Sequence, residues 1–166
     1  MKRIAKFEKV SEKQFKDGFL DCFGQNVQKE YEEIKLPRRA TSGSAGYDFY
    51  SPIDFSLAPG ESIKIPTGVR VRIDDSWVLK IYPRSGLGFK FRLQLNNTVG
   101  IIDSDYYNSD NEGHIFIKIT NDSKEGKTVA VKKGEGFAQG IFVEYGITED
   151  DDVTDVRNGG FGSTTK

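Results

Sequence analysis

Several short stretches gather the residue types that phosphate and base chemistry need. Tyr82-Pro83-Arg84-Ser85-Gly86 closes the apolar run Trp77 to Ile81 and sets a planar cation, a hydroxyl and a flexible backbone side by side, a combination suited to phosphate oxygens. In Asn97-Thr98-Val99-Gly100-Ile101-Ile102-Asp103-Ser104-Asp105-Tyr106 an amide and a carboxylate stand at either end of an apolar turn, with an aromatic ring beyond. Ala45-Gly46-Tyr47-Asp48 follows a Ser/Gly turn, and Gly134-Glu135-Gly136-Phe137-Ala138-Gln139 leads a turn into a strand that bears one amide. Near the end, Phe161 sits among glycines and ahead of hydroxyls, so that backbone N–H groups can approach phosphate while a ring covers something flat. Taken singly, each stretch also reads as an ordinary turn or a surface ion pair.

Other suggestive strings fail on spacing. Gly126-Lys127-Thr128 imitates the end of a phosphate-binding P-loop, but Asn121 holds the required earlier glycine position and a strand pattern follows. Asp103-Ser104-Asp105 opens like a calcium loop, yet Tyr107 occupies the third ligand position and Asn108 the place of the turn glycine. His114, the single histidine, is expected to be an ordinary turn residue at the start of a strand. Cys22 lies far from it in sequence, so neither a zinc site nor a Cys/His nucleophile pair is supported.

The elements that must position these residues change character along the chain. From Ser11 to Ile34 the spacing is helical: Phe15, Phe19, Cys22 and Phe23 share a face, Ser11 and Gln14 make a capping box, and Gly24 reads as a stop. Beyond Pro37 the period becomes alternating, as in Val69, Val71 and Ile73 or Ile115, Ile117 and Ile119, with turn clusters between. Many short strands without alternating helices predict an all-β sandwich or barrel. From Glu149 the chain turns acidic and then glycine-rich, so residues 151–166 are expected to form a mobile arm beyond a single domain over 1–150.

Composition narrows the function classes. The 166 residues carry 24 Lys+Arg against 25 Asp+Glu, a net charge of -1, which gives no global field for capturing a nucleic-acid polymer. A single cysteine excludes a disulfide scaffold and agrees with a reducing compartment. No apolar run approaches the ~20 residues a membrane span requires, so a soluble cytoplasmic protein is expected.

In order along the chain, AGYD, PRSG, GIIDSDY, G-E-x-x-AQ and R…GGFGST resemble the five motifs of the all-β homotrimeric dUTPase family, from Ala45 to Thr164. The resemblance implies a β-clip or jelly-roll barrel with a short helical insertion at about 11–34. It also implies hydrolysis of dUTP to dUMP and pyrophosphate, Mg2+ on the triphosphate, and three active sites shared between subunits. Asp103 matches the family's general base, which activates water for in-line attack at the α-phosphorus. Asn97 and the backbone of Gly100, Ile101 and Ile102 match the hairpin that reads the uracil edge, and Tyr106 matches the aromatic against the deoxyribose that refuses a 2′-hydroxyl. Arg84, Ser85 and Gly86 look like the phosphate cradle, with Gln139 a further contact, and Asp48 matches the acid acting on magnesium through water. Phe161 would stack over uracil while Arg157, Ser163 and Thr164 bind the terminal phosphates.

The match departs from the pattern in four places. Gly136-Phe137 stands where a basic residue followed by Ile or Leu is usual, and the fifth motif is one residue short between Arg157 and Phe161. The stretch Tyr107 to Gly113 and the N-terminal segment through Ile34 are additions. They resemble insertions of phage-encoded enzymes, particularly the staphylococcal type, which implies a repressor protein as a further partner. A dCTP deaminase of the same superfamily and a nucleotide-switched, non-catalytic regulator are the competing readings.

Overall fold

The computed structural model describes residues 1–24, 30–157 and 159. Twelve strands and two short helices follow one another: β1 (Ala5–Lys9), α1 (Glu12–Phe23), β2 (Arg38–Arg39), β3 (Tyr47–Tyr50), β4 (Phe55–Leu57), β5 (Ser62–Pro66), β6 (Val69–Ile73), β7 (Trp77–Pro83), α2 (Ser85–Phe91), β8 (Leu93–Leu95), β9 (Gly100–Ile102), β10 (Phe116–Asn121), β11 (Val129–Val131) and β12 (Gly136–Glu144). The class is all-β, as the alternating pattern predicts. Among the described residues the ladders divide into a five-stranded sheet in the order β2-β3-β12-β7-β9, a three-stranded sheet β5-β10-β8 and the pairs β1-β6 and β11-β4, and they close no single barrel.

Alternation explains the packing. In β6, Val69, Val71 and Ile73 are buried while Arg70 and Arg72 turn outward, and β10 repeats the scheme with Ile117 and Ile119. These side chains join Phe49, Leu79, Ile81 and Phe137 in one contiguous core. Phe137 owes its place to a bulge: the β3–β12 register jumps between Gly136 and Ala138, and the extra residue drops its ring into the core against Phe55.

The N-terminal segment is built into this core. α1 ends at Gly24, whose left-handed backbone returns its N–H to the Leu20 carbonyl, as the sequence predicts. Phe15 and Phe19 are buried, and β1 pairs with β6 along its whole length. Only half of the expected capping box forms. The Ser11 hydroxyl accepts the Gln14 N–H at 3.1 Å, but the Ser11 N–H goes to Glu112 Oε2 at 2.7 Å instead of to Gln14. His114 is not an ordinary turn residue either: it is fully buried, and its Nε2 accepts the Gly68 N–H at 2.9 Å. No helix among the described residues is long and apolar enough to cross a membrane.

Candidate active site

Strand register assembles the phosphate-suited residues. Antiparallel pairing sets Asp48 of β3 opposite Gln139 of β12, and Gln139 opposite Tyr82 of β7, so three motifs distant in sequence meet at one end of the sheet. Arg84, Ser85 and Gly86 follow where β7 passes into α2. All five site residues line a cleft of about 640 Å³. Arg84 Nε donates to Asp48 Oδ1 at 3.2 Å, and Gln139 Nε2 donates to the Pro83 carbonyl at 3.1 Å and to Ser85 Oγ at 3.3 Å. The Asp48 carboxylate is largely covered while the Arg84 guanidinium remains half exposed to the cleft. Gly136 accounts for one departure from the motif. A Cβ there would lie 3.2 Å from Arg84 Nη1, so the missing side chain is what lets the guanidinium lie across the bulge.

The apolar turn joins β8, at the edge of the three-stranded sheet, to β9, at the edge of the five-stranded one. β9 pairs with β7, Gly100 opposite Ile81 and Ile102 opposite Leu79, and Thr98 turns the tip with φ +67. Asn97, Gly100 and Ile102 line a second, mainly apolar cleft of about 330 Å³ with Ile81, Leu95 and Phe116. Ile101 points the other way and is half exposed, as strand alternation requires.

Asp103 follows β9 directly and opens the 3₁₀ turn Ser104–Asn108. Arg157 spans this turn: Nη2 donates to Asp103 Oδ2 at 2.6 Å and Nε to Asp105 Oδ1 at 2.9 Å. The guanidinium carbon also stands 5.8 Å from the centre of the Tyr106 ring. Arg157 is thus placed on the candidate base and on the ring beside it, whereas the phosphate-suited cleft has other lining residues. Tyr106 is buried; its hydroxyl donates to the His114 carbonyl at 2.7 Å and accepts from Asn111 Nδ2 at 2.9 Å. Burial pushes its phenol pKa up, against smaller lowering contributions from Asn111 and Arg157, so the hydroxyl keeps its proton.

The site residues therefore fall into three groups within one chain. The two clefts share no lining residue, and Asp103, Tyr106 and Arg157 line neither. Phe161, Ser163 and Thr164 lie outside the described residues. Among the described residues no cluster of three or more His, Cys, Asp or Glu side chains is arranged to hold a metal ion directly. Asp105 bonds Arg157 and Asn111 bonds the Tyr106 hydroxyl, contacts the sequence does not announce: one residue stands inside a motif assigned to Asp103, the other inside a turn cluster, and neither spacing points to its partner.

An all-β chain with a polar cleft fit for phosphates, a mainly apolar cleft beside β9 and a carboxylate at the end of that strand has the features of a nucleotide-handling class. The dUTPase family model matches residues 32–165, and the chain belongs to that family. It is 43% identical over 146 residues to the deoxyuridine 5′-triphosphate nucleotidohydrolase of Lactococcus lactis subsp. lactis (strain IL1403), covering 85% of this chain and 96% of the relative. The corresponding Shigella sonnei enzyme is 43% identical over 139 residues, covering 79% of this chain and 87% of its own. The crystal structure of Streptococcus mutans dUTPase superposes with a TM-score of 0.63 at 31% identity, over 86% of this chain and 98% of that one. The dUTPase of Staphylococcus aureus phage phi11 shares the fold, with a TM-score of 0.64 at 22% identity over 92% and 97% of the two chains.

Proposed function

We infer that this chain hydrolyses dUTP to dUMP and pyrophosphate, with Asp103 as the base. The observation that carries the reading is the position of Asp103. It is the first residue beyond β9, the strand whose inner face lines the apolar cleft, so a base held there brings its α-phosphate toward that carboxylate. Asp103 takes the proton from water, the water oxygen bonds to the α-phosphorus, and the bond to the bridging oxygen breaks to release pyrophosphate. Asn97 and the backbone of Gly100 to Ile102 read the uracil edge, and the Tyr106 ring is the wall behind the deoxyribose. Arg84, Ser85, Gly86 and Gln139 hold phosphate oxygens; positioning and charge stabilisation of this kind supply most of the rate in transfer at phosphorus.

The donor set fits Mg2+ held through water. Asp48 supplies one covered carboxylate at the edge of the phosphate-suited cleft, and magnesium keeps several waters and takes few protein oxygens. When bound, the ion neutralises triphosphate charge and orients the chain of phosphates. A structural Mg(II) ion is described for the phage phi11 enzyme.

The homotrimer is part of the same reading. Base-reading and phosphate-holding residues line separate clefts of one chain, which supports an active site completed by neighbouring copies. Light scattering should find three 18.6 kDa chains per particle. Residues 151–166 act as the arm that closes over substrate, and Arg157 must leave Asp103 and Asp105 to reach the phosphates. The lone, free Cys22 and a nucleotide substrate support work in the cytoplasm. Likeness to staphylococcal phage enzymes at 20–23% identity carries the fold and not a repressor partner.

The deciding experiment is pyrophosphate release from dUTP beside dTTP, dCTP and UTP, with Asp103→Asn as the control. Release from dUTP alone, lost in Asp103→Asn while nucleotide still binds, is the expected outcome. Turnover that survives the substitution sinks the assignment of the base, and ammonia from dCTP would place the chain with the deaminases.

A further inference from the structure

The stretch 107–113 and the N-terminal segment, the two additions to the motif pattern, are each other's partners. Glu112 adopts a left-handed backbone, φ +58, which a non-glycine residue holds only when its surroundings enforce it. The enforcing contacts come from the start of α1: Glu112 Oε2 accepts the Ser11 N–H at 2.7 Å and Oε1 accepts the Ser11 hydroxyl at 2.6 Å. On the other flank, Tyr107 donates its hydroxyl to Glu8 Oε2 at 2.6 Å, and Arg70 lies 3.6 Å over the Tyr107 ring while Nη2 donates to the Tyr107 carbonyl at 2.7 Å. Glu8 and Ser11 both precede the residues matched by the family model.

What this braced loop holds is Tyr106. Asn111 takes the Gly113 N–H on Oδ1 at 3.2 Å, and its backbone carbonyl takes the His114 N–H at 3.0 Å, which fixes the side chain. Its Nδ2 then donates to the Tyr106 oxygen at 2.9 Å, while that hydroxyl spends its one proton on the His114 carbonyl. Two bonds at the far end of the ring fix both its tilt and its depth. A ring that excludes one extra oxygen from a sugar does so by refusing to yield, and a shift well below 1 Å decides such a contact.

We propose that Asn111 is a positioning residue for sugar discrimination: its amide pins the Tyr106 phenol, and the N-terminal segment holds the loop that carries it. The inference rests on Tyr106 being the wall behind the deoxyribose. Its test is kcat and KM for dUTP and UTP in the wild type, Asn111→Asp and Tyr106→Leu. Asn111→Asp keeps the acceptor for the Gly113 N–H and replaces the donor facing Tyr106 with a carboxylate oxygen. It should raise the UTP-to-dUTP ratio of kcat/KM by about tenfold, mainly through a lower KM for UTP, with kcat for dUTP within about threefold. A ratio within about twofold of wild type, while Tyr106→Leu is relaxed, overturns the role of Asn111 alone. An unchanged ratio in Tyr106→Leu overturns the reading of Tyr106 and the brace with it. Should Asn111→Asp not fold, Glu112→Gln decides the matter: it keeps the shape and weakens the hold on Ser11, so the ratio should move the same way by a few fold, and no movement overturns the proposal.

Discussion

Acidifying the protein from about pH 7.5 to about pH 5 should cost about 2 kcal/mol through His114 alone. The imidazole is fully buried, with ring centres of Phe116 at 4.3 Å and Phe15 at 6.4 Å. Burial pushes its pKa from 6.5 down to about 3; Lys64 adds to the shift and Glu112 opposes it. The unfolded chain thus binds a proton near pH 6 that the native state refuses. The contribution is fully present above 6.5 and drains away as pH falls toward 3. The slope is about 1.4 kcal/mol per pH unit, which over about 1.5 units gives the 2 kcal/mol above, or about 6 °C in melting temperature for a chain of this size. Carboxylates titrate as well, so the informative quantity is a difference. His114→Gln keeps an oxygen for the Gly68 N–H and carries no titrating group. Thermal melts of both proteins, at matched concentration because association shifts them, should show wild type losing about 6 °C more than the variant over that interval. Equal losses would refute the argument, as would a His114 ring proton that titrates near 6.5 by NMR in the native state.

Further outcomes follow from close contacts and from the arm. Gly18→Ala adds a Cβ 2.9 Å from His114 Cε1 and 3.0 Å from Phe116 Cζ. Its gain in helix propensity of about 1 kcal/mol is outweighed by overpacking of about 1–3 kcal/mol, so melting temperature should fall. Gly136→Val crowds Arg84, whose Nη1 would be 3.2 Å from the new Cβ; KM for dUTP should rise several-fold, as initial-rate kinetics would show, with kcat little changed. Deleting residues 157–166 should lower kcat/KM on the order of 10²-fold while leaving the melting temperature within a degree or two, since the core cluster among the described residues reaches no further along the chain than Phe142.

Legibility in the sequence followed the range of the interactions. β6 was readable because Val69, Val71 and Ile73 alternate with arginines, and α1 because its cap, stripe and stop are all local. α2 was hidden: Ser85–Phe91 contains two glycines and two phenylalanines, a poor helix by propensity, and Leu87 and Phe91 hold it by packing against the core. β1 escaped because five residues with two lysines and a glutamate show little pattern until β6 supplies the partner. Motif order identified the residues of the candidate site, but not their grouping. That Asp48 faces Gln139 depends on a register set by the bulge at Phe137, and that Arg157 sits on Asp103 and Asp105 is a contact across more than fifty residues. Neither distance is written in local spacing.

The segment ahead of the family-matched residues has become impossible to shed. Phe15 is wholly interior, the Tyr31 hydroxyl closes on the Val10 carbonyl at 2.7 Å, and β6 has every residue engaged with β1. Cutting the chain back to residue 32 would strand the inward valines of β6 on an unzipped edge and uncover the flank of His114, inviting aggregation before any loss of chemistry. What reads along the chain as an appendix is, in three dimensions, a keystone: a shortened descendant would first have to repaint the surface beneath it.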